Sequence, residues 1–332
     1  MAILFGCQKQ ENEEKQENKE AGIIATDDTI EALVKKGIDS LGNEANLNYI
    51  NVSKVTDVRE LFSRSQFNGD ISEWNVSGMK NMQYMFYGSK FNGDISKWNV
   101  SKVETMEFMF CRSQFTGDIS KWNVSNVKYM DFMFAHSPFT GDISKWNVSN
   151  VKDMRWMFRD SKFNSDISEW NVSKVKNMQY MFFSSKFTGD ISKWNVSKVQ
   201  TMEFMFARSQ FNGDISNWNV SNVKDMRWMF RNSKFNSDVS NWNVSNVEDM
   251  EGMFGNSKFN SDVSNWNVSN VEDMQVMFYR SKFTGDVSKW KVRDDAHTEH
   301  MFDDNAPNKP QWYLDRERKR LDRDSKIKKG GN

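Results

Sequence analysis

Phenylalanine returns every 24 residues, at Phe67, Phe91, Phe115, Phe139, Phe163, Phe187, Phe211, Phe235, Phe259 and Phe283, and each opens a near copy of one unit. A unit this short cannot enclose a core of its own. Its apolar side has to be covered by the copies before and after it, which makes the chain a repeat array. The unit reads F-x-[GS]-D-[IV]-S-x-W-N-V-S-x-V-x-x-M-x-x-M-F-x-x-S-[KQ], and its copies run from Phe67 to Lys282 without insertion or deletion. Two weaker copies flank them. Residues 43–66 keep Leu47, Ile50, Val52, Val55, Val58, Leu61 and Phe62 but lack the Phe and Trp, and residues 283–306 lose the frame after Val292. Atypical end units keep the last faces of such an array soluble.

Length alone would suggest two domains, but the unbroken period overrides it in favour of one elongated domain. A mean hydropathy of −0.76 with 38% hydrophobic residues suits a thin core shared between neighbours. With 45 basic and 45 acidic residues the formal charge is zero. That removes an electrostatic case for the body binding nucleic acid or an anionic membrane. Only Arg316 to Lys329 is basic, and it reads as a solvated terminus rather than a nucleic-acid arm.

Within a unit, Ile71, Trp74 and Val76 predict a short strand with Trp74 and Val76 on one face and Glu73 and Asn75 on the other. Val76, Met79, Met82, Met85 and Phe86 follow at a three-to-four spacing, which predicts a short helical segment with Ser77 as its N-cap. The expected fold class is therefore α/β: eleven 24-residue coils, with a parallel sheet on one side and short helical segments on the other. Residues 26–42, with the stripe Ile30, Leu33, Val34, Ile38 and Leu41, read as an N-terminal capping helix. Residues 307–332 read as a C-terminal capping helix with a basic tail, closing the last coil through Trp312, Tyr313, Leu314 and Leu321.

The elements Trp74-Asn75-Val76-Ser77 with Met82 to Phe86, repeated as Trp194-Asn195-Val196-Ser197 with Met202 to Phe206, resemble the BspA-like leucine-rich-repeat family of bacterial surface proteins. The resemblance covers residues 43–306, and it falls on the subgroup with W-N-V-S and M-x-x-M-F elements and no assigned activity. It implies a leucine-rich-repeat-like solenoid displayed on a bacterial cell surface, often as a lipoprotein, and names no ligand. Leu4-Phe5-Gly6-Cys7 resembles a lipobox, which makes Cys7 the candidate lipidation site and residues 1–7 the end of a truncated signal. The six residues before Cys7 carry no Lys or Arg, unlike a complete signal peptide. Residues 8–25, rich in Gln, Asn, Glu and Lys, read as a disordered tether. The membrane is thus expected as a partner only through a lipid anchor.

Candidate catalytic residues are scarce. His136 occupies a position that other copies fill with Gly, Ser, Arg or Asn, and His297 and His300 lie in the degenerate end unit beside Asp294, Asp303 and Asp304, a weak metal pattern. Cys111 is the one cysteine of the array. No phosphate-cradling loop or nucleophile motif departs from the repeat, so neither an enzyme nor a cofactor is expected.

Columns of equivalent residues carry the remaining candidates. The aspartates from Asp70 to Asp286 read as Asx-turn acceptors for their own units, with a calcium column as the alternative. The asparagines of N-V-S, from Asn51 to Asn267, read as an amide stack along the sheet. Beside them Glu73, Lys97, Lys121 and Lys145 begin a variable polar strip on the exposed sheet face, where solenoids commonly bind. Tyr84, Phe108, Phe132, Trp156, Tyr180, Phe204 and Trp228 form an aromatic column that would point away from Met82 and Met85 on a regular helix. The rings are either an exposed interaction stripe or packed between irregular coils. Blocks also recur: Phe67 to Gln114 reappears as Phe163 to Gln210, and K-D-M-R-W-M-F occurs at Lys152 and Lys224. The chain thus reads as a non-catalytic bacterial surface protein that binds a protein or another surface macromolecule. A structural spacer without a ligand, or a calcium-dependent adhesin, are the alternatives.

Overall fold

The computed structural model describes residues 22–330. Cys7, the lipobox-like segment and the tether as far as residue 21 lie outside the described residues. The elements are β1 (Ile23–Ile24), α1 (Ile30–Leu41), β2 (Ile50–Asn51) and α2 (Gln311–Gly330), with β1 parallel to β2. Between β2 and α2 the units stack in register through single parallel bridges, from Asp57 with Asn81 through to Asp273 with His297.

Beyond β2 in the first unit, neither the strand nor the helix expected within the units forms. Around Tyr84 the chain makes successive turns: the N–H groups of Met85, Tyr87 and Ser89 return to the carbonyls of Met82, Tyr84 and Phe86. The alternate N–H groups, of Met82, Tyr84, Phe86 and Gly88, donate instead to Thr105, Glu107, Met109 and Cys111 of the next unit. A helix would use all these donors within the segment and leave the stack joined by side chains alone. The turns satisfy every one of them and tie neighbour to neighbour. Positive φ at Tyr84 (55°) and Gly88 (60°) closes each reversal and is incompatible with continuing a helix. Ser77 therefore caps nothing, and its N–H and hydroxyl donate to the Asn75 side chain.

The expected strand is likewise a turn, with Trp74 N–H returning to the Ile71 carbonyl. Trp74 and Val76 are nonetheless buried, and Glu73 and Asn75 exposed. Each Trp links two units, as Trp98 Nε1 donates to the carbonyl of Ile71, and the same bond recurs up to Trp290. The core is continuous. Both Met residues and both Phe residues of the central units are fully buried, and equivalent rings stack at 5.6 Å (Phe86 and Phe110) and 6.4 Å (Phe91 and Phe115).

The two ends are closed by side chains that stand in for missing units. Lys80 and Asn81 donate their N–H groups to the Thr56 carbonyl one unit earlier; for Thr56 and Asp57 no earlier unit exists, and the Asp27 carboxylate accepts both N–H groups and the Thr56 hydroxyl. These bonds, the Thr56 N–H first, hold the Asp27 carboxyl below its ordinary range. Asp27→Ala is expected to cost about 1 kcal/mol, as loss of a capping acceptor does, measurable as a lower urea midpoint. At the other end Trp312 Nε1 donates to the Val287 carbonyl at 3.0 Å, continuing the Trp column from a helix. Arg316 donates to the carbonyls of Val292, Arg293, Asp294 and Ala296.

Several expected boundaries shift. The stretch read as tether ends before Ile23, because Ile23 and Ala25 donate to the carbonyls of Tyr49 and Asn51 and Ala25 is fully buried. Helix α1 starts at Ile30 rather than residue 26, since Asp27 is engaged with Thr56. Leu41, Leu314 and Leu321 are exposed and close nothing; the apolar side chains with which α2 seals the end are Tyr313 and Trp312.

Candidate functional site

The turn that replaces the helix also builds the aromatic column. Tyr84, Phe108, Phe132, Trp156, Tyr180, Phe204 and Trp228 all stand at the positive-φ position, between 53° and 62°. They do not project freely outward as a regular helix would have them; each is half-buried. Ring centroids lie 4.4, 4.1, 4.9, 4.3 and 4.6 Å apart from Tyr84 to Phe204, then 6.1 Å to Trp228, with interplanar angles of 9° to 28°. The result is a ladder of stacked rings with half-exposed edges. Arg159 lies 3.8 Å over Trp156 and Arg231 lies 4.3 Å over Trp228, so guanidinium groups cover part of it.

A left-handed conformation costs a residue with a side chain about 1–2 kcal/mol, and a stacked aromatic pair returns roughly 0.5–1.5 kcal/mol. The rings therefore about cancel their own strain. The backbone does not require them, because Glu60, Gly252, Val276 and His300 hold the same positive φ at the same position. Gly252 also ends the ladder: a Cβ there would come within 1.8 Å of the Trp228 ring, which overlies the glycine.

The other expected columns fall elsewhere. Each aspartate from Asp70 to Asp286 accepts the N–H of the serine two residues on, as Asp70 does from Ser72 at 2.9 Å, and this bond holds Asp70, Asp94, Asp118 and Asp142 below the usual carboxyl range. The asparagines form no amide stack; each accepts from the serine of its own N-V-S, as Asn75 does from Ser77. Glu73, Lys97, Lys121 and Lys145 are exposed on a turn rather than on a sheet face. His136 and His297 each lie 3.6 Å from one aspartate, Asp160 and Asp273. Among the described residues no group of three or more His, Cys, Asp or Glu is placed to hold a metal ion. Burial pushes the Cys111 thiol up to about 11.

A feature that sequence reasoning missed flanks the ladder. Asp131, between the core residues Met130 and Met133, is 3% exposed, and its Oδ1 has no hydrogen-bond partner. Arg155 Nε lies 3.6 Å from Asp131 and 3.4 Å from Asp153. Burial, then Glu107 and Asp153, push the Asp131 carboxyl up to about 7 against the pull of Arg155. The duplicated K-D-M-R-W block repeats the arrangement with Arg227 near Glu203, Asp225 and Asp249, and Asp249 is pushed to about 6, mainly by burial. The available signal was a carboxylate placed one residue after a core Met.

Residues 34–139, 111–212 and 207–312 each match the model of a family described as Mycoplasma protein of unknown function, DUF285. The chain belongs to the DUF285 family. The three successive matches together span the stretch whose 24-residue period the structure reproduces. No curated protein and no solved structure matches the chain. What distinguishes this DUF285 chain from a uniform array is the ladder, seven units long and confined to Tyr84 through Trp228. Among its described residues no helix is long and apolar enough to cross a membrane.

Proposed function

We propose that this DUF285 protein is a non-catalytic, leucine-rich-repeat-like solenoid of BspA-like type on a bacterial cell surface, and that it binds a protein or other surface macromolecule through the aromatic ladder. The observation that carries the reading is the run of rings at a strained position that the fold also fills with Glu60, Gly252 and Val276. Folding does not demand aromatics there, and a continuous half-exposed apolar strip is the kind of surface at which partners dock. The surface location and the anchor at Cys7 rest on the family resemblance and the lipobox-like segment.

The test is binding of the full chain to intact cells and to purified matrix proteins, compared with a Trp156→Ala, Tyr180→Ala, Phe204→Ala triple variant and a Lys97→Ala, Lys121→Ala, Lys145→Ala variant. At least tenfold weaker binding of the ladder variant alone is expected, with circular dichroism at 20 °C showing both variants folded. A selective loss in the lysine variant would move the site to the polar strip. Absence of binding by any form would favour a spacer.

A further inference from the structure

The ladder is closed at one end and open at the other. Each inner ring is covered on both faces by its neighbours, and Trp228 is covered by the Gly252 backbone and by Arg231. At the N-terminal end the position preceding Tyr84 is Glu60, not a ring, so Tyr84 has no stacking partner on that side. It lines instead a groove of about 950 Å³ between α1 and the first units, together with Tyr87, Phe108, Glu31 and Glu60.

The charges in the groove are unevenly committed. Asp27 accepts from Thr56 and Asp57, and Asp57 is paired with Arg59 at 2.6 Å. Glu31 and Glu60 make no side-chain hydrogen bond or ion pair among the described residues, and both are exposed. Arg64, the other basic residue lining the groove, lies 5.6 Å over Tyr87 rather than over Tyr84, and Tyr87 meets Tyr84 edge-on at 5.6 Å. Two unpaired carboxylates beside a tyrosine face on which no ring stacks call for a flat cation. The same molecule fills that arrangement elsewhere, where the Arg159 guanidinium lies 3.8 Å over Trp156 while its Nε donates to Asp160 at 3.0 Å.

We propose that this groove binds an arginine side chain presented by a partner protein, the guanidinium stacking on Tyr84 and pairing with Glu60 and Glu31. Arginine fits better than lysine because its planar group can stack and donate in a fork at once. The inference rests on the ladder being a binding surface and specifies what its open end accepts.

The probe is a fluorescein-labelled Gly-Arg-Gly-Arg-Gly peptide, titrated against the full chain at low ionic strength and followed by anisotropy, with lysine and citrulline versions for comparison. Tyr84→Gly suits the positive φ that Gly252 already holds at the equivalent position, and Glu60→Gln preserves size. Saturable binding of the arginine peptide is expected, at least tenfold weaker in each variant, and weaker for the lysine and citrulline peptides. Arg64→Ala should bind as well as the parent or better. The proposal is overturned by absence of saturable binding, by affinity unchanged in both variants, or by a citrulline peptide that binds equally well. The central triple variant leaves the groove untouched. If it loses partner binding yet keeps the arginine peptide, the ladder and the groove are separately upheld; if the peptide binds while the triple variant keeps its partner, the proposed ladder function alone fails.

Discussion

Trp170→Ala is expected to destabilise the array by about 3–5 kcal/mol, the usual range for removing a buried Trp. The ring is 3% exposed and packs 6.2 Å from Phe158 of the preceding unit, and its Nε1 donates to the Ile143 carbonyl at 3.1 Å. The deletion therefore opens a cavity and removes a bond between units in one step. Because repeat stability is shared through interfaces, the damage spreads to both neighbours, and urea unfolding followed by circular dichroism is expected to broaden or split. Trp170→Phe restores most of the volume without the N–H and should cost less, with about 1 kcal/mol due to the missing hydrogen bond. A Trp170→Ala midpoint within 1 kcal/mol of the parent would mean that the stack closes over the gap, and the shared-core account would fail.

Asp131→Asn is expected to raise stability at pH 8 and to flatten its dependence on pH between 4 and 7. The carboxyl is pushed up to about 7 in the folded chain, against about 3.9 for an unfolded aspartate. The folded state thus holds this proton more tightly. The stability it contributes is fully present below about pH 4 and is lost as pH rises through 7. A gain of about 2 kcal/mol at pH 8 is expected, half of the roughly 4 kcal/mol separating protonation at pH 7 from protonation at pH 4, because the amide that replaces the carboxylate is still buried where Oδ1 has no hydrogen-bond partner. Asp118→Asn is the comparison of opposite sign. Asp118 is held below the usual range by the Ser120 N–H, so its contribution is present above the unfolded pKa and lost as pH falls. A pH profile identical for Asp131→Asn and the parent would show that the carboxylate is already solvated.

Which side chains are inside was legible in the sequence, and what backbone carries them was not. Trp74, Val76, Met82, Met85 and Phe86 are all buried as their spacing predicted. A three-to-four spacing is shared, however, by a helix and by a run of turns with a left-handed residue at every fourth position. Glycine or asparagine would have announced such turns. Only Gly88, Gly252, Asn232 and Asn256 do so; elsewhere Tyr84, Trp156, Arg112 and Asp160 fill the same positions and conceal them. For the same reason the aromatic column was legible as a column but not as a ladder, since its stacking follows from the conformation of those turns. The Asp70 and Asn75 turns lay between these cases. Their acceptors bond two residues along the chain, so the aspartate turn could be read locally, whereas reading Asn75 as an amide stack presupposed a sheet that the chain replaces with turns.

The sequence by itself determined the period and the buried face, because a 24-residue unit can bury its Phe, Trp and Met residues only against copies of itself. The tertiary structure decided everything that depends on where alternate N–H groups go. Sending Met82, Tyr84, Phe86 and Gly88 N–H to the next unit turns the expected helices into turns and brings the rings to between 4.1 and 4.9 Å from Tyr84 to Phe204. It leaves orphan donors and carbonyls at the ends, met by Asp27 and Arg316. These partners lie 29 and 23 residues from the groups they satisfy, a separation that no local pattern encodes and that stacking alone brings within bonding distance.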